Sequence, residues 1–320
     1  MAMLIGTDEA GYGPNLGPLV ISVTAWSVPD EFVHSDLYAV LERVVRRVPS
    51  RGVDGVVAIA DSKQLYKPGS GLQLLEHGVL TCLRTLGYRE TTWRHLWSCL
   101  TSDSDSFLAA CPWNAAFDAQ LPCAAQAEEI DAAGQRLAAE FRATGVALRA
   151  MRSVAIFPDR WNALLQVHGK KSDVLAAETL SLLQTLVAAQ DEAPVVIQCD
   201  KFGGRNRYAG LLQHVFPEHL VEVVQEGREA SIYRWGPQHR RTECRFAARG
   251  ESFLPTALAS MVSKYLRELA MQAFNHFWRE RVPGLRATAG YPTDARRFQR
   301  DIASAQQALG IEDRFVWRVR

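Results

Sequence analysis

Two acids stand side by side near the start of this chain. Residues 3–8 (MLIGTD) read as a short apolar strand, and Asp8 and Glu9 sit where it runs out. Asp200 ends a second apolar run, PVVIQC at 194–199, in the same manner. A continuous run of that kind is expected of a central strand buried on both faces. Carboxylates at the ends of buried strands are costly unless something positive meets them. On neighbouring strands Asp8 and Asp200 would lie only about 5 Å apart. Like charges that close raise one pKa strongly unless a cation sits between them, and a hard divalent ion with oxygen ligands is the natural cation. Adjacent residues on a strand face opposite ways. The turn at Gly11 and Gly13 would therefore have to bend the chain so that both carboxylates, or one carboxylate and a backbone carbonyl, reach one site. A solitary Asp after a strand is ordinarily a turn former or a helix cap, so Asp200 alone leaves both readings open. Asp8–Glu9 followed by G-x-G-P is more specific, because a solvated turn needs neither two acids nor this density of breakers.

The glycines after the first strand loosely suggest a dinucleotide fingerprint. That reading fails on two counts. Pro14 and the β-rich run at 19–28 (LVISVTAWSV) do not make the required helix, and the acids would repel a pyrophosphate.

The elements that must position these acids can be sketched from patterning. Strands are expected at 3–8, 19–28, 147–157 and 194–199, the first two as an antiparallel hairpin start. Helix-like apolar spacing covers 31–47, 71–86, 125–143 and 173–189, with Ser172 as a cap for the last. Residues 256–279 are apolar on most sides, as expected of a helix buried against a sheet. Strands and helices alternate, which points to α/β architecture. The stretch 93–122 mixes Ser, Asp, Cys and Pro without a clear period and reads as an insertion.

With 320 residues, 48% of them hydrophobic, the chain can bury a core without disulfide staples. Its net charge of +1 supplies no global field, so an anionic partner must be held by local patches. Cys82, Cys99, Cys111, Cys123, Cys199 and Cys244 show neither a C-x-x-C pair nor zinc spacing and read as free thiols of a reducing compartment. No basic region precedes the short apolar start, and no uncharged apolar run approaches the roughly 20 residues that span a bilayer. A cytoplasmic protein without membrane contact is the expectation.

Four segments now add up to a resemblance. TDEAGYGPNLGPLV at 7–20 resembles the D-E-A-G-R-G-P opening of ribonuclease HII. Asp61-Ser62-Lys63, with Leu65 after it, looks like that family's D-S-K-x-L segment. RGESFLPTALASMVSKYLRE at 249–268 is similar to its K-G-D…A-A-A-S-I-x-A-K-x-x-R-D helix, and Gly290-Tyr291-Pro292-Thr293 matches its late G-Y-P-T element. The four occur in the family's order but cover well under half of the chain. The resemblance implies a ribonuclease H-like α/β fold, a five-stranded mixed sheet flanked by helices. Here that would be a single domain over 1–320, with insertions at about 93–145 and 202–248 and a C-terminal helical part at about 253–320.

The resemblance also implies four acids holding two divalent ions, Mg2+ or Mn2+. Carried over by motif, they are Asp8, Glu9, Asp200 and Glu268, the last standing where the family has Asp. The implied reaction is two-metal hydrolysis of the RNA strand of RNA/DNA hybrids, or of ribonucleotides embedded in duplex DNA, leaving 5′-phosphate and 3′-hydroxyl ends. Gly11, Tyr12 and Gly13 occupy the place of the family's G-R-G, which reads the sugar-phosphate partly through backbone groups; Tyr12 lacks the arginine's charge and fork. Tyr291 corresponds to the tyrosine that packs on the sugar or base, and Lys63 and Lys264 are placed to meet phosphates. A monomer is expected. Two other readings stay open: a nuclease of the same fold acting on structured DNA, and a nucleic-acid-binding protein without catalysis.

Basic stretches lie near these segments. Arg234, Arg240, Arg241, Arg245 and Arg249 form one, and Arg279, Arg281, Arg286, Arg296, Arg297 and Arg300 another. Tyr233, Trp235, Phe246, Trp278 and Phe298 alternate with them, which suits a phosphate backbone flanked by stacking groups; a solvated face is the alternative. The glycines and cations of KFGGRNR at 201–207 suit a phosphate nest or a basic turn.

Overall fold

The computed structural model describes residues 1–48, 55–66, 71–89, 91–101, 111–115, 117–188, 193–248 and 250–319. Its centre is a mixed sheet. β1 (Ala2–Ala10) pairs antiparallel with β2 (Leu19–Val28), and β2 pairs antiparallel with β5 (Ala147–Ile156). On its other side β1 runs parallel to β6 (Val195–Asp200), which runs parallel to β9 (Thr242–Ala247). The order β5-β2-β1-β6-β9 forms a five-stranded mixed core, although β9 falls within 202–248, the stretch expected as an insertion. Beyond β9 the sheet continues antiparallel through β8 (Ala230–Trp235) to β7 (Glu222–Glu226), giving seven strands.

Alternation along the strands builds two cores. Met3, Ile5, Leu19, Ile21, Val23, Val195, Ile197 and Cys199 pack beneath helices Pro158–His168 and Lys171–Ala188. Leu4, Val20, Trp26 and Val28 face the long helix Leu254–Arg281, behind which lie helices Gln73–Thr85 and Ala127–Thr144. The long helix lies almost on the sheet, and a Cβ on Gly6 would collide with the backbone of Pro255 and Thr256. Only glycine permits that approach. Among the described residues no helix is long and apolar enough to cross a membrane, and all six cysteines are free thiols.

Three expectations are corrected. The chain from 31 to 47 is not one helix: a 3-10 turn at Asp30–Phe32 and a short helix at Leu37–Val40 lead into β3 (Val45–Arg46), which pairs with β4 (Val57–Ala58). Asp36 caps the start of that short helix, Arg47 turns back onto Asp36 and the Tyr38 ring, and the helix ends where Leu41 leaves helical backbone. Ser172 is no cap, because its helix begins one residue earlier and the Asp173 and Val174 amides already bond to the Lys170 carbonyl. The stretch from 93 holds a helix, Trp93–Leu100, whose Trp93, Leu96, Trp97 and Leu100 are buried at helical spacing. Thr92 caps it by accepting from the His95 amide. β1 also runs to Ala10, past the two acids.

Candidate active site

The register of β1 and β6 decides the central contact. Thr7 pairs with Cys199, so one step further along two parallel strands puts Asp8 beside Asp200. Both fall on the face toward the long helix, because Leu4 and Val196 mark that face and alternation carries it on. Glu9 falls on the opposite face, since β1 stays regularly paired through Glu9 and Ala10 instead of bending at the turn.

Each aspartate has a built support. Ser260 of the long helix stands beside the Asp8 carboxyl. Ser260 Oγ in turn lies 3.0 Å from Ser62 Oγ and accepts from the Ser62 amide at 3.3 Å. Ser263 donates to the Asp8 carbonyl at 2.9 Å. Asp200 Oδ1 accepts from the Gly250 amide at 2.7 Å, and a Cβ there would come within 2.9 Å of the same oxygen. The Asp8 carboxyl is pushed well above the usual carboxylate range, chiefly by burial, then by the charges of Glu9 and Asp200, against the Ser260 hydroxyl. The oxygen donors of this pair fit one hard divalent cation.

Glu268 stands apart. It lies two helical turns beyond Ser260, about 12 Å along the axis. Tyr66 donates to its Oε2 at 2.8 Å, Lys264 Nζ lies 2.6 Å and Arg267 Nη1 3.4 Å from its Oε1. Its charge is already answered, and a role as ligand would require it to exchange these partners for a cation. Among the described residues no group of three or more His, Cys, Asp or Glu is set to hold a metal ion. Lys264, expected at a phosphate, is engaged with Glu268 and the Tyr66 ring, 4.5 Å from its centroid.

The D-S-K segment proves to be architecture as much as chemistry. Asp61 caps helix Ser62–Leu65 by accepting from the Lys63 amide at 3.0 Å, buried Ser62 locks onto Ser260, and Lys63 is exposed. The first and last segments meet directly. Asn15 donates to the Gly290 carbonyl at 2.8 Å, and a Cβ on Gly290, at φ +82°, would lie 2.6 Å from the Leu16 carbonyl oxygen. Tyr291, 55% exposed, comes close to Gly13, whose Cβ position would lie 3.9 Å from the ring. Tyr12 instead packs half-buried against the core on the Glu9 face. Burial raises its pKa, followed by Glu9 and Asp173.

The stacking surface expected among the arginines is corrected. Tyr233, Trp235, Phe246, Trp278 and Phe298 are all buried in the two cores, because sheet and helix periodicity turn them inward while the arginines point out. Arg234 pairs with Glu243, Arg241 with Glu222, and Arg297 with Asp294 and Asp301; Arg249 lies outside the described residues. In 201–207, Lys201 bonds Asn206 and the Gly227 carbonyl, and Arg205 pairs with Asp173. The patterning gave no role to Gly6, Ser260, Gly250 or Arg267, and named Ser62 only within the D-S-K segment, yet all five build the site. Arg267 was visible only as a neighbour of Glu268.

With this geometry in hand, comparison with solved structures gives a likeness over nearly the whole chain. Ribonuclease H2 of Pyrococcus horikoshii OT3 aligns with TM-score 0.49 and 14% identity, covering 98% of this chain and 92% of that one. The chain resembles ribonucleases HII and HIII. The Archaeoglobus fulgidus RNase HII, solved in complex with PCNA, aligns with TM-score 0.45, 16% identity and coverages of 99% and 94%. Bst-RNase HIII in complex with Mn2+ gives 0.41, 13%, 99% and 66%. No family model and no curated protein matches the chain. The chemistry is therefore argued from this chain's own residues.

Proposed function

We propose that this protein is a divalent-metal-dependent endonuclease that hydrolyses the RNA strand of RNA/DNA hybrids or ribonucleotides embedded in duplex DNA, leaving 5′-phosphate and 3′-hydroxyl ends. One observation carries the reading: Asp8 and Asp200 stand side by side at the ends of two central parallel strands, with no cation of the chain described at Asp8. Asp8 and Asp200 would hold a magnesium or manganese ion, with Glu9 able to join only from the far face of β1 and Glu268 as the candidate for a second. Such ions supply Lewis acidity toward the phosphodiester and a nucleophilic water. Ser260 and Gly250 stand at the two aspartates, the exposed backbone at Gly13 admits the strand closely, and exposed Tyr291 offers a face to a sugar or base. The resemblance to ribonuclease HII supports the choice of substrate, and a monomer in the cytoplasm suits it.

The test is cleavage of four labelled duplexes, with magnesium, manganese or chelator: RNA/DNA hybrid, DNA with one embedded ribonucleotide, duplex RNA and duplex DNA. Metal-dependent cutting confined to the first two is expected, and cutting of duplex DNA alone would move the assignment to a DNA nuclease. The neutralised Glu268 favours one rival, a nucleic-acid-binding protein without catalysis, which predicts binding to hybrids and no cleavage with either metal.

A further inference from the structure

Beneath the Gly11–Gly13 turn the protein buries a second excess of charge, this one positive. Arg318 and Arg267 are each 1% exposed. Arg318 Nη2 donates to the carbonyls of Gly11, at 2.6 Å, and Pro14. Among the described residues its Nε and Nη1 find no acceptor, and no carboxylate pairs with it. A buried, unpaired guanidinium is costly, and this one is held from several sides. The Asn15 side chain donates to the Arg318 carbonyl at 3.0 Å, the Arg318 amide donates to the Asn15 carbonyl at 2.8 Å, and Leu16 bridges Trp317. Trp161 lies 5.0 Å under the guanidinium and ties the next residue by donating to the Val319 carbonyl at 3.0 Å. From the other side, the place of a Gly11 Cβ lies 2.5 Å from Arg267 Nε.

Peptide geometry gives this clamp a consequence. In a trans peptide the N–H points opposite to the C=O of the same plane. The Gly11 carbonyl is drawn inward, so the Tyr12 amide must face away from Arg318, and among the described residues nothing accepts from it. We propose that Arg318 is a positioning residue, which turns the Tyr12 amide outward as a preset donor to a phosphate oxygen of the bound nucleic-acid strand. Arg318 never touches the strand and acts through the orientation of this peptide alone. Burial, then the charge of Arg267, pushes the pKa of Arg318 down to about 9. This inference rests on the nucleic-acid reading above.

The test is binding of a fluorescently labelled RNA/DNA hybrid in chelator, so that no cleavage step enters. Three proteins are compared with wild type: Arg318→Lys, Arg318→Met, and a chain in which the Tyr12 amide is replaced by an ester, which deletes the N–H and leaves the side chain. The ester and Arg318→Met should each weaken binding about tenfold, and combining them should add little, because both remove the same donor. Arg318→Lys should recover part of the loss. In cleavage, KM should rise while kcat stays within about threefold. If Arg318→Met does not fold, the ester with Arg318→Lys completes the cycle. An ester that binds like wild type, or losses that multiply, would overturn the assignment of Arg318 alone. Wild type that binds no hybrid would overturn the functional reading and this inference together.

Discussion

Near one end of the long helix the protein leaves two carboxylates facing each other; two turns further along the same helix it neutralises one completely. Asp8 and Asp200 have a serine hydroxyl and a glycine amide for company, and burial together with the acids nearby raises the proton affinity of Asp8. Glu268 has an ammonium, a guanidinium and a phenol within hydrogen-bonding reach. Three acids from the same resemblance thus sit in opposite electrostatic settings. A carboxylate whose charge is met inside the chain serves the fold as it stands, whereas one whose proton affinity is raised by burial and neighbouring acids is a place suited to a cation.

Asp8→Asn is the largest expected break in this contrast. It should lower metal-dependent cleavage on the order of a thousandfold or more. In metal-free buffer its melting temperature should equal or exceed that of wild type, because like-charge repulsion is relieved. Added manganese should raise the melting temperature of wild type only. Full activity in this variant would sink the metal assignment.

Gly6→Ala tests whether the approach of the long helix is what delivers Ser260 to Asp8. The added methyl meets backbone at Pro255 and Thr256, so nothing can rotate away, and about 3 kcal/mol of stability should be lost. Denaturant unfolding measures this; a loss within error would mean that the helix can lift without consequence.

Glu268→Gln probes the other side of the comparison. Removing the charge leaves buried Arg267 without its nearest anion, and about 2 kcal/mol of stability should go, from lost charge-assisted hydrogen bonds. Cleavage should fall by less than about tenfold if the internal pairing is its main role. Abolished cleavage with unchanged melting would reverse that and make Glu268 a ligand.

The pH dependence follows from Asp8. Its folded pKa lies above its unfolded one. The resulting stability is complete below the ordinary carboxylate range and is lost as pH rises through the elevated folded value. Melting temperatures in chelator should therefore decline from acidic to neutral buffer, with about 1.4 kcal/mol lost for every pH unit that separates the two pKa values, and Asp8→Asn should flatten the decline. Smallest of all, Tyr12→Phe should change cleavage by less than about threefold, since the ring packs inward and the proposed contact belongs to its backbone amide.

The amino-acid order alone determined four of the strands, β1, β2, β5 and β6, and the long helix. β-branched and apolar runs at 19–28 and 194–199 have few other ways to bury themselves, and the four segments could be read in order without coordinates. It also placed Asp8 and Asp200 at the ends of apolar runs, but not which faces they would occupy. Period-two alternation along a strand running to Ala10 separates Glu9 from Asp8, and the parallel register with β6 brings Asp200 to the same face as Asp8. Local pattern misled at 31–47, where helical spacing gave way to a capped turn and a β-pair, and at 93–100, where a helix hid among polar residues. The partners of Glu268 and the burial of Arg318 were decided by tertiary structure alone. Tyr66 and Glu268 are 202 residues apart and Gly11 and Arg318 are 307, and charge acts through distance in space, which the folded chain sets.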